Sequence, residues 1–194
     1  MARAKEFDPA QALAKAMSVF WRHGYENTST KMLMSEMGIA KQSLYDTFGD
    51  KRSLYLKALA YYREETNTNA RQLLQSEPSV KRGFAKLLFS LSSETPEQHE
   101  RGCLLLSANL ERDTRDAQIA QLLRENQAEV QSIFVEALRR AQSAGELSNN
   151  QDPVALARFF IVTIQGMRSM ARLKSDRRAL RQVAKVALAV FDKK

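Results

Sequence analysis

Apolar residues in this chain recur at three- and four-residue spacing along most of its length, and no stretch alternates as a strand would. The pattern predicts an all-α protein. Asp8 and Pro9 open a first helix whose apolar face is Ala10, Leu13, Ala14, Met17, Phe20 and Trp21, and His23-Gly24 closes it. Thr28, Ser29 and Thr30 stand at an N-cap position before Lys31–Met37, a short helix stopped by Gly38. A second short helix begins near Lys41 and ends before Gly49. Across the pair, Leu33, Met37, Ile39, Leu44 and Phe48 make an inner face, while Lys41, Gln42, Ser43, Tyr45 and Thr47 are left on the outer one.

Two short helices joined by a Gly-containing turn of three or four residues form a helix-turn-helix, whose second helix enters the major groove of DNA. All five outer residues can hydrogen-bond to phosphates or base edges. Asp50 is positioned to cap the next helix, from Lys51 to about Gln75, with Leu54, Leu56, Ala58, Leu59, Tyr62 and Leu73 apolar. At 1.5 Å per residue that helix is about 37 Å long. It is either a plain connector or a lever that converts a change in the rest of the chain into a change of head angle.

The helical pattern continues to the C-terminus. Pro78 starts a helix to about Ser93, Glu94-Thr95-Pro96 breaks it, and an apolar run follows Gly102 from Cys103 to Leu110. Asp116 caps a long helix to Ala144, and Asp152-Pro153 opens another whose apolar residues, Val154 to Met170, lie on more than one face. The last helix spans about Asp176 to Phe191. Its apolar positions are Leu180, Val183, Ala184, Ala187, Leu188 and Phe191, and two adjacent C-terminal helices of this kind predict self-association through a four-helix interface.

Composition narrows the partners. The 194 residues carry a net charge of +8, and a pI near 9.7 points to an anionic partner without separating nucleic acid from a membrane surface. No apolar run is expected to approach the roughly 20 residues of a membrane span, and MARAKEFDPAQ lacks the apolar centre of a secretory leader. A cytoplasmic protein is expected. The single cysteine, Cys103, leaves neither an internal disulfide framework nor a multi-cysteine zinc site. His23 and His99 have no metal-binding spacing or nucleophile triad around them, and no glycine-rich phosphate loop exists, so an enzyme is not expected and no cofactor is implied.

From Gly24 to Leu59 the chain reads GYENTSTKMLMSEMGIAKQSLYDTFGDKRSLYLKAL. Gly-Tyr followed by Thr-Ser, then Gly38-Ile39, Ser43-Leu44-Tyr45, Phe48, and Lys51 with Leu54, resembles the TetR family of one-component bacterial transcriptional regulators. The departure is Lys31-Met32 followed by Met34, where the family often has small or more polar residues. The remaining two thirds match only in length and helical layout.

The resemblance implies a homodimer of about nine helices per chain. A three-helix head over 1–50 would sit on a ligand-binding and dimerisation bundle over 51–194, with 51–75 as the connecting helix. It implies phosphate contacts by Thr28, Thr30, Tyr45 and Lys51, base contacts by Lys41, Gln42, Ser43 and Thr47, and either kind by Lys31. Gln42 would suit adenine and Lys41 guanine. It also implies that a small molecule binds in the bundle and releases the protein from a pseudo-palindromic operator on double-stranded DNA.

Tyr62, Phe84, Phe89, Cys103, Asn109, Phe134, Phe160, Gln165 and Met167 are the candidate ligand walls, although aromatic and Met residues at helical spacing more often form plain core. Asn109 and Gln165 are singled out because a buried amide needs partners and could orient a ligand. Cys103 lies beside Arg101 at a predicted helix start, the setting in which thiols react. Some members of the family sense oxidants or electrophiles through a cysteine, so Cys103 is a candidate sensor as well as a candidate core residue. A ligand-responsive repressor is therefore expected. The alternatives are redox or electrophile sensing through Cys103 and a basic, sequence-independent nucleic-acid binder.

Overall fold

The computed structural model describes residues 7–111, 116–173 and 176–192. They form α1 Pro9–His23, α2 Thr30–Met37, α3 Lys41–Phe48, α4 Lys51–Ser76, α5 Val80–Leu91, α6 Pro96–Arg101, α7 Leu104–Glu111, α8 Ala117–Ser143, α9 Pro153–Arg172 and α10 Arg177–Leu188, closed by a 3-10 turn, Ala189–Phe191. The fold is all-helical, as its periodicity predicts, and no described residue is in a strand. Residues 1–6, part of the stretch read for a leader, lie outside the described chain.

The helices pack as two compact units, one comprising residues up to Glu65 with Cys103–Leu123, the other Thr66–Gly102 with the chain from Arg124 onward. The boundaries fall inside α4, between α6 and α7, and inside α8.

The first unit is built on α1. Asp8 accepts hydrogen bonds from Ala10 N at 2.8 Å and Gln11 N at 3.5 Å, with Pro9 at the first helical position. Ala12, Ala16, Met17, Val19 and Phe20 are its buried residues. The buried stripe is thus rotated from the expected one. Ala10 is exposed, whereas Ala12, Ala16 and Val19, too small or too isolated to mark the pattern, point inward. They meet Leu33, Met37, Leu44 and Phe48 from α2 and α3, Leu54, Tyr55, Ala58, Leu59 and Tyr62 from α4, and Leu104, Leu105 and Ala108 from α7. Each large apolar side chain so buried stabilises the unit by roughly 1.5–3 kcal/mol.

The second unit has an aromatic centre. Phe84 stacks on Phe160 at 4.3 Å between centroids, meets Phe134 edge-on at 5.2 Å, and lies 5.8 Å from Phe191. Its α4 segment and α5 come very close. A Cβ on Gly83 would stand 3.0 Å from Leu74 Cδ2, so the residue there must be small. Glu146, in the turn after α8, closes the open end of α5. It accepts from Ser79 Oγ at 2.7 Å, Lys81 N at 3.1 Å and Val80 N at 3.2 Å.

The break expected at Glu94-Thr95-Pro96 separates α5 from a further short helix, α6, where Thr95 and Gln98 form a reciprocal capping box with Pro96 at the first position. One expectation is corrected: α9 is long and apolar enough to cross a membrane by length and composition alone, although core helices also pass that test. Only 28% of its most apolar 18 residues is buried within the chain. Phe159 and Val162 remain 42% and 66% exposed, as does Val186 of α10 at 73%.

Candidate nucleic-acid interface

The pair α2–α3 is set up by its ends. Ser29 is the N-cap, its Oγ accepting from Met32 N at 3.1 Å. Gly38 terminates α2 in the left-handed region, φ 69 and ψ 33, which turns the chain sharply into α3. Ala40, at the N-cap of α3, has no side-chain cap, so the first N–H groups of α3 lack that partner. At the other end, Lys57 Nζ reaches back from α4 to the carbonyls of Phe48 at 3.2 Å and Thr47 at 3.4 Å. A cation on the last carbonyls complements the negative end of the helix dipole. Leu44 and Phe48 anchor the inner face of α3 in the core.

What α3 presents outward is Lys41, Gln42, Tyr45 and Asp46, with Ser43 and Thr47 half-buried. Gln42 Nε2 donates to Asp46 Oδ1 at 2.8 Å. Lys31 is exposed and Thr30 half-buried at the start of α2. The surface thus brings cationic and amide groups together on one short helix, chemistry suited to phosphates and base edges.

Thr28 does not belong to that surface. It is 1% exposed, and its hydroxyl donates to the Gly24 carbonyl at 2.6 Å. The proton a phosphate would accept is already committed to closing the α1–α2 turn. Lys51 is half-buried, with Nζ 4.3 Å above the Tyr25 ring. Tyr25 in turn packs at 4.8 Å from Tyr55 and 6.3 Å from Phe20. Burial, then the neighbouring Glu26 and Asp50 carboxylates, push the Tyr25 phenol above its ordinary value.

Three residues around the site escaped the sequence reading. Lys57 and Asp46 are two. The third is Arg52, whose Nη2 reaches Gln118 Oε1 at 2.8 Å and which also pairs with Asp116, the residue capping α8 through Gln118 N at 3.0 Å and Ile119 N at 3.2 Å. Only the spacing of Gln42 and Asp46, four residues apart on one helix, could have been read in advance.

The candidate ligand residues do not all come together, and those that do form packed core. Phe84, Phe134, Phe160 and Met167 are sealed in the second unit's core with Phe89 packed against it, whereas Tyr62 and the half-buried Cys103 belong to the first unit's core. Asn109 and Gln165 are both exposed, so neither is the buried amide that motivated the choice. That description fits Asn67, which is 4% exposed and donates to Asn126 Oδ1 at 3.2 Å. A cleft of about 610 Å³ does open in the second unit, lined by Glu146, Leu147, Ser148, Gln151, Val190 and Asp192 among others. None of the candidates lines it.

The dimerisation set is corrected as well. Leu180, Ala184, Ala187, Leu188 and Phe191 are buried in the chain's own core, and Val183 packs against it. A side chain already removed from water has no area to give a second chain. No group of three or more potential metal ligands occurs among the described residues. His99 Nε2 lies 2.8 Å from the Leu91 carbonyl and 3.9 Å from Glu94.

Residues 12–58 match the family described as bacterial regulatory proteins, tetR family, and residues 85–187 match the family described as tetracyclin repressor-like, C-terminal domain. Over 194 residues the chain is 32% identical to an uncharacterized HTH-type transcriptional regulator, YezE of Bacillus subtilis (strain 168), covering 99% of this chain and all of that one (100%). It is 31% identical to the HTH-type transcriptional repressor ComR of Escherichia coli (strain K12), over 97% of this chain and 91% of the relative. Among solved structures, a cysteine-substituted form of the TetR family transcriptional regulator CifR, complexed with 26-base-pair double-strand operator DNA, superposes with a TM-score of 0.84. It is 33% identical, with 96% of this chain and 97% of that chain covered.

Proposed function

Because the chain belongs to the TetR family of HTH-type transcriptional regulators, we propose that it is a homodimeric repressor that reads a pseudo-palindromic operator through α3 and leaves it when a small molecule binds. The observation that carries this reading is the exposed row Lys41, Gln42 and Tyr45 on a helix anchored by Leu44 and Phe48 and ended by Lys57. Lys41 and Gln42 contact base edges, and Ser43 and Thr47 take part as α3 seats in the groove. Thr30, Lys31, Tyr45 and Lys51 hold the phosphates, Lys51 after leaving the Tyr25 face. A relative at 33% identity is solved on operator DNA, which supports the same use here.

Two copies meet through the outward faces of α9 and α10, where Phe159, Val162 and Val186 stand uncovered on adjacent helices. Exposed large apolar residues on two adjacent helices suit a protein interface. The small-molecule response rests on the match of residues 85–187 to the tetracyclin repressor-like C-terminal domain. An effector releases DNA only if it binds the two states with different affinity.

A second reading keeps the same head and places the signal at Cys103. Its thiol is half-buried, not sealed, at the residue preceding α7. Adduct formation or a bridge between subunits would be its chemistry, since no second cysteine is present. A Cys103→Ser variant that still left DNA normally with peroxide, hypochlorite and quinones would remove it.

The test is selection of bound duplexes from a random library at physiological salt. Enrichment of a pseudo-palindrome supports the proposal and supplies the duplex for effector screening. Tight, salt-dependent binding with no enriched sequence would instead make the protein a non-specific basic binder.

A further inference from the structure

A carboxylate on the DNA-facing side of a reading helix works against the phosphates, because it adds repulsion where the rest of the surface supplies attraction. Asp46 is such a residue, exposed on α3 beside Gln42 and Tyr45. Its partner among the described residues is Gln42, whose Nε2 it receives at 2.8 Å across one helical turn.

The pairing fixes more than a rotamer. A carboxylate can only accept hydrogen bonds, so the amide must turn its nitrogen toward Asp46, and the flipped arrangement would set two acceptors against each other. Gln42 is left with one N–H and its Oε1 directed away from Asp46, in one order. Adenine presents the matching pair on its major-groove edge, an N7 acceptor and an N6–H donor, and no other base presents that pair.

We propose that Asp46 is a positioning residue for base recognition: it holds the Gln42 carboxamide in the order that fits adenine and so sharpens discrimination at that base pair, at some expense in general DNA affinity. This rests on the reading of α3 as the DNA-reading helix.

The experiment selects duplexes from a random library with the full-length wild type, Gln42→Ala, Asp46→Ala and Asp46→Asn, and measures the salt dependence of each on specific and random DNA. Gln42→Ala identifies the column that Gln42 reads. Asp46→Ala is expected to reduce the adenine preference in that column by about tenfold while binding random DNA as tightly as the wild type or more tightly. Asp46→Asn keeps an acceptor for Nε2 without the charge, and is expected to retain most of the preference.

If Asp46→Asn loses the preference as fully as Asp46→Ala, the charge acts and the hydrogen bond does not, and the proposal fails. It also fails if Asp46→Ala leaves that column intact or relaxes only a neighbouring one, which would make Asp46 a reader in its own right. No enriched sequence with the wild type would overturn the DNA-reading assignment itself. Both Asp46 variants change one exposed side chain, and circular dichroism checks that α3 and its core survive.

Discussion

Arg52 and Asp116 face each other with two parallel hydrogen bonds, Nε to Oδ2 at 2.6 Å and Nη2 to Oδ1 at 2.8 Å. The same carboxylate caps α8, so one side chain closes a helix start and fastens it to the base of α4. The Arg52 hydrogen bond, followed by those from the α8 backbone, outweighs the cost of partial burial and holds the Asp116 carboxyl below its usual range.

A carboxyl depressed in the folded state contributes stability that is complete above its unfolded value and is lost as pH falls through the folded one. Asp116→Asn is therefore expected to flatten the stability profile below about pH 4, and Asp116→Ala to cost about 1 kcal/mol near neutrality through the lost cap. Urea unfolding at a series of pH values measures both. An unchanged acid limb in Asp116→Asn would show that other carboxylates control acid unfolding.

Glu146 acts similarly within the second unit. Burial alone would raise its pKa, but the Ser79 hydroxyl, the Lys81 and Val80 amides and the Arg140 charge together lower it. Glu146→Ala leaves two N–H groups at the start of α5 without their acceptor. The expected loss is about 2 kcal/mol, and Glu146→Gln should lose less because it keeps an acceptor. Thermal unfolding of the two variants beside the wild type decides it.

Outward and inward apolar residues on the last helices should separate cleanly. Val162→Glu or Val186→Glu is expected to weaken self-association by tenfold or more, about 1.5 kcal/mol, with helix content unchanged. Leu180→Glu instead places an unpaired charge in a sealed core and should unfold the unit. Sedimentation and circular dichroism together read both. A Val162→Glu protein with the same association state as the wild type would place any contact between copies elsewhere.

Gly38→Ala tests the turn. Nothing lies within 4 Å of where the new Cβ would stand, so the whole cost is the left-handed backbone, φ 69. The expected destabilisation is about 1 kcal/mol, with a weaker hold on specific DNA as α3 loses its fixed angle. A Gly38→Asn variant, better tolerated in that conformation, should lie between.

The α2–α3 pair was legible because what defines it is local: a cap at Ser29 and a stop at Gly38 for α2, and apolar positions at Leu44 and Phe48 for α3. The same local grammar marks α6, where Thr95, Pro96 and Gln98 spell a capping box directly after the break. Long-range partners were another matter. Arg52 and Asp116 are 64 residues apart, and Ser79 and Glu146 are 67, and no periodicity joins such positions. The C-terminal helices failed for a third reason. When a helix is apolar on two sides, spacing cannot say which side meets its own core, so the pattern does not separate Leu180 and Phe191, which lie inside, from Phe159, Val162 and Val186, which stand outside.

The bond from Lys57 to the end of α3 has a practical consequence for building hybrid regulators. A graft cut at residue 50 would carry α3 but leave behind the ammonium that holds its end from the rear, as well as the Arg52 grip on Asp116. A transplant meant to keep its target sequence would need a junction beyond Lys57, together with a recipient whose own seventh and eighth helices offer Arg52 a carboxylate.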